Sequence, residues 1–256
     1  MSSRVSLVAL WSFSQLLFSP RTLGMAILAT TPVLIALVYR ATVALEIAAE
    51  SSGPAAFSVL SAAVSLPFVA PMLALFYASG VVTDDAEAGT LHYFLTRPVA
   101  RRDLLFGRML GNLTIVACLF LPPFVLCYYL TIAGSGWQEL GSHFPTLVRH
   151  ILAASLGIFA YSGLFSLAGT VLKRPLLFGL FFVFGWQAAA SIVPGAVRYL
   201  TVTHYMHSLM PHESFQGTLA GLIGPRSSTP AAILALLAIG AFTHAIAVWV
   251  FANKEI

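Results

Sequence analysis

Residues 109–133 read MLGNLTIVACLFLPPFVLCYYLTIA, twenty-five positions without one Asp, Glu, Lys or Arg. A helix needs about 20 mostly apolar residues to cross roughly 30 Å of hydrocarbon. This stretch is long enough, and it is too apolar to be a free loop. Working outward, five further runs of the same kind are found when the chain is cut at its charges: Thr22–Tyr39, Ala56–Val82, Ile151–Leu172, Leu176–Val193 and Ala231–Ala252. Lys173-Arg174-Pro175 separates the fourth and fifth spans. Across all 256 residues 59% are hydrophobic and 9% charged, where a soluble domain carries about 25% charged residues. The pattern predicts an all-α integral membrane protein with six transmembrane helices, one membrane domain over 22–256, and no room for a second, soluble core.

Prolines fall inside the predicted spans at Pro67, Pro71 and Pro122-Pro123. Each removes a backbone donor, so kinks are expected there, as membrane helices tolerate where a neighbour covers the gap. Lys and Arg collect on the cytoplasmic side of short loops. One side holds Arg4, Arg21, Arg97, Arg101, Arg102, Arg108, Lys173, Arg174 and Lys254, and the other holds Arg40, Arg149, Arg198 and Arg226. Both termini and the segment 83–108 are therefore expected in the cytoplasm. The net charge of +4 is this bias; with no basic patch interleaved with aromatics, no nucleic-acid partner is expected.

Residues 1–21 precede the first span. Leu7, Leu10, Trp11, Leu17 and Phe18 alternate with Ser12, Gln15 and Ser19 before Pro20, which suits a helix lying along the cytoplasmic leaflet. No basic region runs into a short apolar core with a small-residue cleavage site, so the first span is expected to remain in the mature protein. The outer loop 195–230 is half apolar and is expected to fold back against the membrane edge or the mouth of the bundle.

The segment 83–108 reads TDDAEAGTLHYFLTRPVARRDLLFGR and holds eight of the chain's 22 charges. Asp84, Asp85 and Glu87 suit a helix N-terminus. The residue before a proline avoids the α region, so Arg97-Pro98 breaks the helix, and a second helix leads through Leu104 and Leu105 into the span at 109–133. Glu87, Gly89, Thr90, Leu91, Leu95, Pro98, Val99, Arg101, Gly107 and Arg108 stand in the order and spacing of a motif that follows the second span of the type-2 exporter permeases of the ABC transporter superfamily, which this chain resembles. The resemblance covers the whole chain in architecture and this segment in sequence. It implies a coupling helix that docks in a groove of a separate ATPase subunit, with Asp84, Asp85, Glu87, Gly89, Thr90, Leu91, Arg97, Pro98, Arg101, Arg102 and Arg108 as the partner-binding set. It also implies a dimer of this subunit with two ATPase subunits in a bacterial inner membrane. The rival is a membrane scaffold or assembly factor that recruits a cytoplasmic partner through the same segment without transport.

Other chemistry finds little support. A P-loop needs a Gly-Lys pair opening a helix, and the lysines follow Leu172 and Asn253. No cofactor is expected in this chain, and ATP and Mg are expected in the partner subunit. Cys118 and Cys127 are nine positions apart on opposite helix faces and form neither a disulfide framework nor a metal pair. His204, His207 and His212, with Met206 and Met210, are the one grouping a soft metal would find, and the resembled family includes permeases serving copper-site assembly. No cysteine or carboxylate completes the set, so no metal is expected. His212-Glu213 lacks the second histidine of a zinc-protease helix, because Gln216 stands there. No Gly-x-Ser-x-Gly elbow occurs, so the chain is expected to be non-catalytic. The predicted spans hold no Asp, Glu, Lys or Arg, which argues against a proton-coupled carrier. Phe178, Phe181, Phe182, Phe184 and Trp186 in the fifth span are expected to meet lipid or another helix more readily than a translocation path.

Overall fold

The structure, a computed structural model, describes residues 2–45, 53–87, 100–132, 141–192, 196–211 and 226–253. All regular structure among them is helical. Helix α1 (Ser2–Leu17) is followed by α2 (Pro20–Ala44). The turn between them is set locally: Pro20 occupies the first turn of α2, and the Ser19 hydroxyl caps it by accepting from the Arg21 amide at 3.4 Å. Helix α3 (Gly53–Thr83) is the second span, and its helical path carries on to Glu87. Helix α4 (Arg101–Ile132) is the third and α5 (Phe144–Val171) the fourth. Then come α6 (Pro175–Trp186), the short α7 (Val202–Leu209) and α8 (Thr229–Asn253).

Five of these, α2, α3, α4, α5 and α8, are long and apolar enough to cross a membrane. The predicted fifth span, 176–193, corresponds to α6, which continues as helix through Gln187–Ile192; Val193 lies outside the described residues. The helices overrun the apolar windows read from sequence. α4 begins eight positions before Met109 and α5 seven before Ile151, because a charge on a helix flank reaches the interface and does not stop the backbone. The prolines act in three ways. Pro67 lies in a π-helical stretch, Ser61–Val69, where the ladder interrupted by its missing N–H is taken up as wider turns. Pro71 stands at the second position of the α-helical piece that follows, where the wide turns hand over to α-helical ones and a further donor is missing from the ladder. At Pro122-Pro123, α4 stays helical throughout. A second π-helical stretch, Phe181–Trp186, contains no proline.

Burial separates centre from periphery. In α3 and α5, 61% of the most apolar window is buried within the protein, against 28% for α2 and α8. The centre is the large core of Phe57, Leu66, Leu73, Ile115, Phe124, Tyr128, Ile158, Tyr161 and Phe165, supplied by α3, α4 and α5. The peripheral helices keep most of their apolar surface for lipid or other chains. With no water to drive association, spans approach through small residues. α5 and α8 do so at Gly163 and Gly240: a methyl on Gly163 would collide with Thr243 and the Gly240 carbonyl, and one on Gly240 with the Phe159 ring.

Candidate functional site

The two roots of the segment 83–108 are built into the bundle. On the upstream side, the helical path of α3 passes through a turn at Ser79 into Gly80–Glu87, so Asp84, Asp85 and Glu87 stand in the last described turns of the helix that follows the second span and not at the helix N-terminus that the sequence suggests. On the downstream side, Arg101 and Arg102 form the first turn of α4, with Asp103 beside them at the positive end of the helix. Arg102 is exposed, while Arg101 and Arg108 are half-buried. Gly89, Thr90, Leu91, Leu95, Arg97, Pro98 and Val99 lie outside the described residues.

Both roots end in one small apolar cluster, separate from the main core, made of Val81, Val82, Leu105, Met109, Ala247 and Phe251. It joins the end of α3, the start of α4 and the end of α8. Polar contacts brace the same level. Asn112 Nδ2 donates to the Tyr77 carbonyl at 2.8 Å, tying α4 to α3, and the Tyr77 hydroxyl meets Thr22 Oγ1 at 2.9 Å, tying α3 to α2. At Gly169 a Cβ would strike the Ser79 carbonyl, so α5 crosses α3 in backbone contact.

Helix α1 completes the assembly by lying on the first third of α4, seated against two glycines one turn apart. A Cβ on Gly107 would come within 2.7 Å of Val8 Cβ and 3.0 Å of the Val5 carbonyl. One on Gly111 would come within 2.8 Å of Ser12 Cβ and 2.9 Å of the Ala9 carbonyl. Gly107 figures in the sequence motif, and the structure gives it a physical reason: glycine lets α1 reach α4 at backbone distance. Between α1, α2, α3 and α4 lies a polar cavity of about 260 Å³ lined by Ser12, Gln15, Arg21, Tyr77, Arg108 and Asn112. The sequence reading missed this brace. The Gly107-x-x-x-Gly111 spacing is a small-residue helix-packing signal that was present to be read; the Asn112–Tyr77 contact had no such signal.

At the opposite end of the bundle, α7 carries His204 and His207. The Thr201 hydroxyl caps it by accepting from the His204 amide. His204 Nε2 pairs with Ser227 Oγ at 3.0 Å, and His207 Nε2 donates to the Ala62 carbonyl of α3 at 3.1 Å. Burial pushes both imidazoles below their ordinary pKa, His207 to about 4; Arg198 adds to the effect at His204. Each is therefore a neutral group fixing the loop to the bundle. Among the described residues no set of three His, Cys, Asp or Glu could hold a metal ion, and His212 lies outside them. A buried triad also went unread: Tyr161 of α5 and Thr203 of α7 both donate to Gln187 Oε1, at 2.9 and 2.7 Å. It locks α5, the helical continuation of α6 and α7 together.

The predicted aromatics of α6 divide. Phe182 packs on Phe165 and Phe178, while Phe181, Phe184 and Phe178 stay exposed. Phe68 of the first π-helical stretch meets Phe184 of the second, ring centroids 5.7 Å apart.

Several membrane-length helices, a shared core of spans and a charged segment rooted in two of them define a multi-pass membrane protein. The chain belongs to the ABC-2 family of transporter proteins, whose model matches residues 8–256. It is also similar to the probable ABC transporter permease protein NosY of Stutzerimonas stutzeri, at 29% identity over 149 residues, which cover 53% of this chain and 53% of that protein. The match thus spans about half the length of that curated relative.

Proposed function

We propose that this chain is the membrane subunit of an ATP-driven exporter: two copies form a path between them, and a separate ATPase subunit docks on the segment Asp84–Arg108 of each. In this reading residues 1–21 form a cytoplasmic interfacial helix and residues 22–256 one six-span domain, the fifth span being α6 with its continuation. From Pro175 to Ile192 that helical path rises about 27 Å at 1.5 Å per residue, close to the hydrocarbon thickness. Both termini lie in the cytoplasm and the membrane is a bacterial inner membrane. ATP and Mg are held by the partner, and this chain performs no chemistry.

One observation carries the reading. The two roots of the segment share the cluster Val81, Val82, Leu105, Met109, Ala247 and Phe251, which belongs to three spans at once. A push on the segment cannot be absorbed by bending one loop; it moves α3, α4 and α8 as a packed unit, as a rigid-body coupling device requires. Asp84, Asp85, Glu87, Arg97, Arg101, Arg102 and Arg108 supply charged contacts to the docked subunit, and Gly89, Thr90, Leu91 and Pro98 complete the partner-binding set.

The test is to mix the purified permease with its ATPase and follow hydrolysis. The expected result is co-purification and stimulated hydrolysis, both weakened by Glu87→Ala and Arg101→Ala. Stimulation untouched by either substitution would overturn the coupling assignment. Tight co-purification without any stimulation would point to the scaffold.

A further inference from the structure

A lateral cavity of about 590 Å³ opens between α4 and α8, at the end of the bundle from which the segment 83–108 emerges. Along α4 it is lined by Arg102, Phe106, Leu110 and Leu113, one helix face read at intervals of three and four. Trp249 flanks it from α8, and Phe159 of α5 closes its inner end, stacked on His244 at 5.0 Å. Apart from Arg102 and His244 the lining is apolar, and His244 Nδ1 already donates to the Gly240 carbonyl at 2.8 Å. From Arg102 to Leu113 the helix rises about 16 Å, half the roughly 30 Å of bilayer hydrocarbon. With the Arg102 guanidinium set at headgroup level, a groove of this length would reach the bilayer midplane, one leaflet deep, and Trp249 would sit near the interface, the depth tryptophans favour.

We propose that this groove holds one acyl chain of an anionic phospholipid, its phosphate seated on Arg102. Charge complementarity selects the occupant. Arg102 is exposed at the mouth, and among the described residues no carboxylate lines the groove. A guanidinium binds phosphate through paired donors, and a basic residue at the mouth of an apolar interhelical groove is a general recognition mode for acidic lipid. Unlike a zwitterionic lipid, an anionic one brings no ammonium to offset that attraction. Such a lipid would bridge the root of the segment to α8, beside Val81, Leu105 and Phe251. The inference rests on the chain crossing a bilayer; it shares Arg102 with the ATPase reading, and a vesicle assay without the ATPase tests it separately.

Trp249 is the probe. The chain has four tryptophans; with Trp11→Phe, Trp137→Phe and Trp186→Phe the full chain reports from the groove alone. It is placed in phosphatidylcholine vesicles containing brominated phosphatidylglycerol or brominated phosphatidylcholine. Half-quenching is expected at about a fivefold lower mole fraction of the anionic lipid, the preference that a single arginine near the surface supplies. Arg102→Gln, at an exposed position, should erase the difference without loss of helicity by circular dichroism. Equal quenching by both lipids, or a preference that survives Arg102→Gln, overturns the proposal. So does the absence of quenching by either lipid, which would mean that a second copy of the chain covers the groove.

Discussion

The seating of α1 on α4 can be tested by adding two methyl groups. In Gly107→Ala/Gly111→Ala the new Cβ atoms would start 2.7 Å from Val8 Cβ and 2.8 Å from Ser12 Cβ, with the Val5 and Ala9 carbonyls at 3.0 and 2.9 Å. Ordinary carbon contacts lie near 3.5–4.0 Å, so α1 must retreat by roughly 0.5–1 Å along the whole seam. A gap of that size forfeits a quarter to a half of the dispersion energy there, and overpacking of this kind costs about 1–3 kcal/mol at each site. Alanine returns up to about 1 kcal/mol per site through helix propensity. The two sites share one seam and do not add fully, leaving a net loss of about 2 kcal/mol in α1 docking, about a 30-fold change in the opening equilibrium. Hydrogen–deuterium exchange of the α1 amides should therefore speed up about 30-fold while α5 amides keep their protection. Gly24→Ala in α2 is the control, because nothing lies within 4 Å of a Cβ there. Exchange of α1 within twofold of the wild type in the double variant would show that α1 is not held by backbone approach at these glycines.

Three further outcomes are expected. Phe251→Ala empties the cluster beneath the segment; the loss of a buried phenyl ring costs about 3 kcal/mol or more, which should appear as a lower thermal midpoint and as weaker stimulation of a docked ATPase. Gly169→Ala places a Cβ against the backbone of Ser79, and a backbone atom cannot swing aside as a side chain does, so a loss of about 1–3 kcal/mol in unfolding free energy is expected. The His207 imidazole is held at about 4 against an ordinary 6.5. As pH falls from 6.5 the opened loop takes up a proton before the closed one does, so closure weakens progressively between those values, by up to about 3 kcal/mol. Proteolysis near 212–225 should accelerate over that window in the wild type, and His207→Gln should flatten the response.

Membrane-length apolar runs were legible because composition alone decides whether a stretch can live in hydrocarbon. Helix ends were less so: Arg149 and His150 stand before the apolar window that opens at Ile151, whereas the backbone is already helical beneath them. The π-helical stretch at Ser61–Val69 announces itself only as a proline, and the one at Phe181–Trp186 not even as that. Hydrogen-bond geometry of that kind is set by the neighbouring helix. The segment 83–108 was legible as a charged element between spans, but Asp84, Asp85 and Glu87 were read as opening a helix, whereas they stand in the last described turns of the one that follows the second span. The meeting of Val81 and Leu105 with Phe251, which stands more than a hundred residues further along the chain, exists only after folding. The Tyr161–Gln187–Thr203 triad is hidden for the same reason, since single polar residues in apolar runs carry no mark of their partners.

The widened turns at Ser61–Val69 bear on how this chain can change length. A wide turn uses more residues per turn than an α-helical one, so it can surrender a residue and tighten without turning the helix beyond it. Elsewhere in a span each residue added or lost swings everything downstream by about 100°, which would carry Leu73, Tyr77 and Val81 off their present faces. A single-residue deletion within 61–69 should consequently leave the register of Gly80–Glu87 intact, while the same deletion within 70–78 should scramble it. Relatives that differ by one residue in this span are expected to carry the difference between Leu60 and Ala70.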